Sequence, residues 1–250
     1  MKVYFIGAGP GDPELITIKG LKVIQRSRYC IYAGSLVNKE LLKALPSHAK
    51  AYDSSDMRLE EMVVIFKEAM EQNADVARIH SGDPSIYGAI QEQMHALDEL
   101  GIPYEVIPGV SSFVASAAVL RQELTLPGTT QTIVITRMEG KTPIPEKEHL
   151  NKLATTTPTM CIFLSIDKID EVVKILIPHY GKDCPVAVVY KATWPDQKIV
   201  CSKLTDIAEK VKQESIKKSA IIIVGWVFEK KFQRSVLYAQ DWGKRQKSLV

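Results

Sequence analysis

Three short turns, each rich in glycine or proline and each preceded by an apolar run, limit this chain more than anything else in it. They are Gly7-Ala8-Gly9-Pro10-Gly11-Asp12, Ser81-Gly82-Asp83-Pro84 and Pro108-Gly109-Val110-Ser111. The runs before them, residues 2–8, 75–80 and 104–107, have the length of strands. Helix-patterned stretches follow at 85–100 and 111–121. In the first of these, Ile90, Met94 and Leu97 share a face and Gly101 is a natural C-cap. A further strand is expected at 29–33. A helix is expected at 58–72, with Leu59, Met62, Val63 and Phe66 on one side. Asp12 and Pro13 suit the cap and first position of a helix after the first turn. Strands alternating with helices argue for a largely parallel sheet with right-handed crossovers. Short, nearly continuous apolar strands fit burial on both faces. The three turns would then stand at the carboxyl ends of strands, where ligands bind in open α/β sheets.

A second α/β set follows a break at 124–130, which contains Pro127 and Gly128. Its expected strands are 131–136, 159–164, 185–190, 198–201 and 220–227, and its expected helices are 146–154, 168–178 and 205–214. The organisation implied is an N-terminal domain over 1–123, a C-terminal domain over 124–235 and a tail over 236–250.

Charge and composition exclude several classes. The 32 Lys and Arg against 29 Asp and Glu leave +3, too mild to argue for nucleic acid. No run approaches the roughly 18 apolar residues of a membrane span, and the N-terminal run is too short for a signal peptide. Cys30, Cys161, Cys184 and Cys201 form no CxxC pair and read as buried thiols in a reducing compartment. The histidines are scattered, so no metal site is expected. A cytoplasmic protein is the reading that follows.

The first turn resembles the dinucleotide fingerprint GxGxxG but has Asp12 where the last glycine belongs. An acid there repels a pyrophosphate, and Pro10 removes a backbone N–H from the cradle. A ligand with a positive centre suits the turns better, with Asp83 or backbone carbonyls to favour it. Asp83 as a helix cap is the competing role. Other readings stay open on the residues alone: a dinucleotide-dependent oxidoreductase, or a nucleotide-binding module without catalysis.

GAGPGDPELITIKG at 7–20 resembles the opening signature of the tetrapyrrole (corrin/porphyrin) methylases. SGDPSIYGA at 81–89 and PGVSS at 108–112 resemble their second and third signatures, in the same order and spacing. YAGSLV at 32–37, LTLPGTTQTIVITRMEGKTPIPE at 124–146, VVYKATWPDQKIV at 188–200 and SVLY at 235–238 resemble the branch that methylates carbon 11 of a corrin precursor. The resemblance implies the tetrapyrrole methylase fold: two consecutive α/β domains with a cofactor cleft between them, assembled as a homodimer. It implies S-adenosyl-L-methionine as cofactor, S-adenosyl-L-homocysteine as product and a tetrapyrrole as substrate.

Carried over by position, cofactor contacts fall on Pro10, Ser81, Gly82, Asp83, Ile86, Tyr87, Ser111 and Ser112. Ser165, Tyr190, Ala192 and Ala220 complete that set. Methyl transfer from a sulfonium needs no metal, and the sequence names no general base. A substrate with many carboxylates needs basic side chains, for which Arg58, Arg121, Arg137, Lys141 and Lys191 are candidates. Met138 is a candidate for packing on the ring. Trp194, followed by Pro195, is a candidate for the mouth of the site or for bracing a turn. Rivals within the family act on uroporphyrinogen III or another precorrin, a diphthamide precursor or ribosomal RNA.

Overall fold

The computed structural model describes residues 1–229, 233 and 235. The chain divides into two compact units. Among the described residues, the first comprises Met1–Ala115 together with Lys191–Gln197, and the second comprises Ser116–Tyr190 and those after Gln197. The expected tail, 236–250, lies outside the described residues. Among the described residues, no helix is long and apolar enough to cross a membrane.

The first unit is built on strands β1 (Val3–Gly7), β2 (Tyr29–Tyr32), β3 (Lys50–Asp53), β4 (Val76–His80) and β5 (Tyr104–Ile107). They form one sheet in the order β3-β2-β4-β1-β5, with every neighbouring pair parallel. Alternate side chains divide the core, as the period of two requires. Val3 and Phe5 of β1, Ile31 and Val76 face helices α2 (Leu59–Glu71) and α3 (Gln91–Glu99) through Met62, Ile65, Phe66 and Leu97. Tyr4 and Ile6, with Cys30, Ala77 and Ile79, face α1 (Ile18–Ile24) through Val23 and Ile24. The parallel, doubly covered sheet expected of this half is therefore present, and helix α4 (Ser112–Val119) follows β5.

Local differences have identifiable causes. Asp12 does cap, but it caps a single 3-10 turn at Pro13–Leu15 by accepting the Glu14 N–H at 2.9 Å. The helix proper begins at Ile18 under Thr17, whose Oγ1 accepts from Gly20. The helix expected over 85–100 starts only at Gln91. Tyr87 (φ 55°) and Ala89 (φ 48°) adopt left-handed backbone, which a helix cannot include. Strand β3 escaped the sequence reading, because it is an exposed edge strand without an apolar run.

The second unit has strands β6 (Ile133–Arg137), β7 (Thr159–Phe163), β8 (Pro185–Tyr190), β9 (Lys198–Lys203) and β10 (Ala220–Val224). Their order is β6-β7-β10-β8-β9. Only β6 and β7 are parallel; the other pairs are antiparallel, so this sheet is mixed. Helices α5 (Leu150–Leu153), α6 (Ile169–Tyr180) and α7 (Ile207–Gln213) pack on it, with Leu150, Val172, Leu176, Ile207 and Val211 against Met160, Ile162, Val186, Val188 and Ile222. Three of the cysteines are buried as expected. Cys201 is exposed instead, because it lies on the edge strand β9 with its neighbour Val200 turned inward.

Candidate functional site

The carboxyl ends of three adjacent strands of the first sheet, β4, β1 and the edge strand β5, deliver the three glycine turns to one place. The chain leaving β1 runs to α1 on one face of the sheet, and the chain leaving β4 runs to α3 on the other. Loops that part in this way leave a crevice between adjacent strands, the usual ligand position of open α/β sheets. Here the first two turns meet as a backbone bridge. Gly9 N–H donates to the Gly82 carbonyl at 3.2 Å, and Gly82 N–H donates to the Gly9 carbonyl at 2.7 Å.

Glycine is required by close approach. A Cβ on Gly7 would lie 2.6 Å from Gly109 Cα, and one on Gly109 would lie 2.2 Å from the Gly82 carbonyl oxygen. Gly82 itself has room (nothing within 3.6 Å of a Cβ) but needs its φ of +61°, which glycine alone adopts cheaply. Asp83 joins the second turn to the third. Its Oδ1 accepts the Ser85 N–H at 2.8 Å and its Oδ2 accepts the Gly109 N–H at 2.9 Å. The carboxylate thus caps a turn and not the expected helix, which begins only at Gln91, and it also ties a second loop.

This arrangement is unsuited to a pyrophosphate. Ala8 N–H donates to the His80 carbonyl, Gly9 N–H to Gly82 and Asp12 N–H to Thr193 Oγ1, while Pro10 has no N–H. These donors of the first turn are engaged within the protein and are not offered to a phosphate. The turns instead carry two carboxylates, Asp12 and Asp83, which suits a neutral or positively charged ligand such as a sulfonium nucleoside.

Of the residues proposed for the cofactor, the first unit gathers Pro10, Ser81, Gly82, Asp83, Ile86, Tyr87, Ser111, Ser112 and Ala192. Ser111 is buried, and its carbonyl accepts from Val114 and Ala115 at the start of α4. Ser81 and Ser112 are half-buried, and Tyr87 is exposed. Ala192 is buried and belongs to this unit although it follows β8 in sequence. Ser165, Tyr190 and Ala220 belong to the second unit. Tyr190 and Ala220 are directly opposed on β8 and β10. The Ser165 hydroxyl is engaged twice, accepting from Met138 N–H at 2.8 Å and donating to the Phe163 carbonyl at 2.6 Å.

The candidates for substrate binding are in different states. The Arg137 guanidinium donates to the carbonyls of Met138, Thr142 and Pro143 at 3.1–3.2 Å, which makes it the anchor of the loop after β6. Met138 lines a cavity of about 320 Å³ in the second unit, with Ile144, His149, Leu150 and Ile175 among its walls. Lys191 pairs with Asp196 at 2.6 Å and lies 5.5 Å from the centroid of the Trp194 ring. Arg58, Arg121 and Lys141 are exposed.

The sequence reading did not single out a buried polar pair on β4. Arg78 is 5% exposed and donates from Nε to Gln93 Oε1 at 2.9 Å. Burial lowers its pKa to about 10. His80, 4% exposed, immediately precedes Ser81, and its Nε2 has no hydrogen-bond partner. Burial, helped by the Arg78 charge, pushes its pKa down to about 3. The strand alternation hides both residues, since a polar residue in an apolar run leaves no distinctive pattern.

The sequence matches the family described as Tetrapyrrole (Corrin/Porphyrin) Methylases over residues 2–208. It is 56% identical over 243 residues to a cobalt-precorrin-4 C(11)-methyltransferase of Methanocaldococcus jannaschii, covering 96% of this chain and 94% of that protein. It superimposes on the X-ray structure of a cobalamin biosynthetic enzyme, cobalt precorrin-4 methyltransferase, with a TM-score of 0.88 and 45% identity, over 90% of this chain and 95% of the other. A uroporphyrin-III C-methyltransferase of Thermus thermophilus, complexed with S-adenyl homocysteine, matches with a TM-score of 0.75 and 25% identity, over 91% of this chain and 98% of that one.

Proposed function

Because this chain belongs to the tetrapyrrole (corrin/porphyrin) methylases, we propose that it transfers a methyl group from S-adenosyl-L-methionine to carbon 11 of cobalt-precorrin-4 in corrin ring biosynthesis. The observation that carries the reading is the meeting of three glycine turns at one sheet edge, where the Ala8, Gly9 and Asp12 N–H groups are engaged within the protein and Pro10 has none. The likeness to C(11)-methyltransferases over nearly the whole chain supports the substrate. A homodimer in the cytoplasm is part of the proposal, supported by the family resemblance and by cysteines that form no pairs.

The cofactor supplies a methyl group already activated on a sulfonium, so the protein's work is to bind, orient and exclude water. The new carbon–carbon bond forms as the sulfur–carbon bond breaks, and the electron pair stays on sulfur to give S-adenosyl-L-homocysteine. Pro10, Ser81, Gly82, Asp83, Ile86, Tyr87, Ser111, Ser112 and Ala192 of the first unit hold the cofactor in this proposal, with Ser165, Tyr190 and Ala220 of the second. Asp83 acts by holding the Gly109 turn against the Gly82 turn and by placing negative charge near the sulfonium. Arg58, Arg121, Lys141 and Lys191 meet the carboxylates of the tetrapyrrole. Arg137 shapes the loop that carries Met138 and Lys141.

The test is incubation with labelled S-adenosyl-L-methionine and an enzyme mixture that generates precorrins, with and without cobalt. Mass spectrometry and NMR of the product read both substrate and position. A label on carbon 11 only when cobalt is supplied is the expected result. A label without cobalt assigns the metal-free precorrin-4 instead. A label at another carbon, or on uroporphyrinogen III, overturns the C11 assignment.

A further inference from the structure

The first glycine turn is held by side chains that come from outside it, at three successive residues. The Pro10 carbonyl accepts the Trp194 indole N–H at 2.8 Å. The Gly11 carbonyl accepts Asn38 Nδ2–H at 2.9 Å. The Asp12 N–H donates to Thr193 Oγ1 at 2.9 Å. The Trp194 ring also lies directly on Gly11, where a Cβ would fall 2.2 Å from Cδ1 and 2.4 Å from Nε1. Two of the three side chains, Thr193 and Trp194, come from Lys191–Gln197, which is part of the first unit although the chain reaches it from β8 and leaves it into β9.

The segment is itself rigidly built. Trp194 N–H donates to the Lys191 carbonyl and Gln197 N–H to the Trp194 carbonyl, each at 3.0 Å. Thr193 N–H donates to Gln197 Oε1 at 2.7 Å. Lys191 and Thr193 both have left-handed backbone, φ 45° and 68°. Strained residues of this kind persist where surrounding contacts over-determine them, and they cluster at functional sites. A loop that only joined two antiparallel strands would need neither the strain nor the contacts to Pro10 and Asp12.

We propose that Trp194, assisted by Thr193, is a positioning residue for the cofactor: it fixes the peptide planes of Pro10–Asp12, and so the direction of their carbonyls, without touching the reacting atoms. The proposal rests on the reading of these turns as the S-adenosyl-L-methionine site. The physical reason is that this turn is intrinsically loose. Gly9 (φ 80°) and Gly11 flank a proline that can donate nothing, so the orientation of the peptide units is set from outside or not at all. A binding group fixed before the ligand arrives does not have to be ordered when it binds, which raises affinity.

The test measures binding of S-adenosyl-L-homocysteine by calorimetry on the full chain, with thermal melting in parallel. Trp194→Phe keeps a ring over Gly11 and removes the N–H. It is expected to weaken binding tenfold or more and to raise the KM for S-adenosyl-L-methionine by a similar factor, while kcat falls less than threefold. Thr193→Val keeps the side-chain shape, loses the acceptor and should weaken binding several-fold; it serves if the tryptophan variant does not fold. Gly11→Ala, which drives a methyl group into the indole, should weaken binding more than either. A parent protein that binds no S-adenosyl-L-homocysteine overturns the cofactor reading and this proposal with it. A parent that binds, with Trp194→Phe and Thr193→Val within twofold of it, overturns this proposal alone.

Discussion

Asp83, expected to cap a helix, instead holds two turns with one carboxylate. It caps its own turn through Ser85 and ties the neighbouring turn through Gly109. Removing it leaves two backbone donors without their acceptor, and a hydrogen bond to a charged group contributes about 1.5–3 kcal/mol. Asp83→Ala should therefore lower unfolding stability by about 2–3 kcal/mol and weaken S-adenosyl-L-homocysteine binding in calorimetry. Wild-type values in both measurements would remove Asp83 from either role. His80 offers a second test at this scale. Its folded pKa, about 3, lies below the ordinary histidine value of about 6.5. The unfolded chain therefore binds a proton over that interval and the folded one does not. The stability due to neutral burial is fully present above about pH 6.5 and is lost as pH falls towards 3, by about 1.4 kcal/mol per pH unit. His80→Phe should flatten the acid limb of a denaturant-midpoint profile relative to the parent. Parallel limbs for the two proteins would show that His80 titrates normally.

Among the elements, the glycine-on-glycine contact of the turns predicts an unusual sensitivity. Gly109→Ala places a methyl group against two backbones that cannot both retreat, and should cost at least about 3 kcal/mol in a denaturation series. Gly140→Ala, with nothing within 4 Å of the new methyl, should stay within about 0.5 kcal/mol. Equal effects would mean that the turns do not pack as described. Arg137 belongs to the same scale, since it holds the loop after β6 by three carbonyls. Arg137→Ala should raise KM for the tetrapyrrole and open the loop to limited proteolysis. Arg137→Lys should rescue little, because one ammonium cannot reproduce a planar fork. A raised KM with an unaltered digestion pattern would instead favour direct contact with substrate. These elements also show what could be read in advance. Strands β1, β4 and β5 were legible because apolar runs end in glycine turns; the close approaches of those turns were not, because they join segments far apart in sequence. The start of α3 was not, because Tyr87 and Ala89 take left-handed backbone without being glycine. Trp194 was expected to stand at the mouth of the site or to brace a turn, and it does brace one; that this is the first glycine turn was not legible, because the partners lie about 180 residues away in sequence. Arg137 is a candidate for the substrate's carboxylates on sequence alone, since no pattern in sequence shows that a guanidinium is engaged by its own loop.

The charge of the whole molecule bears on which of the family's substrates is right. A formal charge of +3 from 61 charged side chains is close to balance, and many lysines are paired locally, as Lys50 is with Glu68, Lys198 with Glu214 and Lys212 with Asp170. Such a surface gives no long-range pull on a polyanion, so recognition has to depend on a few basic groups at short range. Interactions of this kind are screened only partly at a Debye length of about 8–10 Å. The KM for a tetrapyrrole should therefore rise by less than tenfold between 50 and 200 mM salt, with kcat nearly constant. An RNA substrate would behave differently. Six to ten phosphate contacts lose about 10³–10⁵ in affinity over the same interval, because each neutralised phosphate releases condensed counterions. Steady-state kinetics across that salt range separates the two. A slope of a few decades would overturn the small-molecule reading and turn attention to nucleic acid, whereas a shallow slope with methyl transfer intact fits a substrate gripped by a handful of side chains such as Arg58, Arg121 and Lys141.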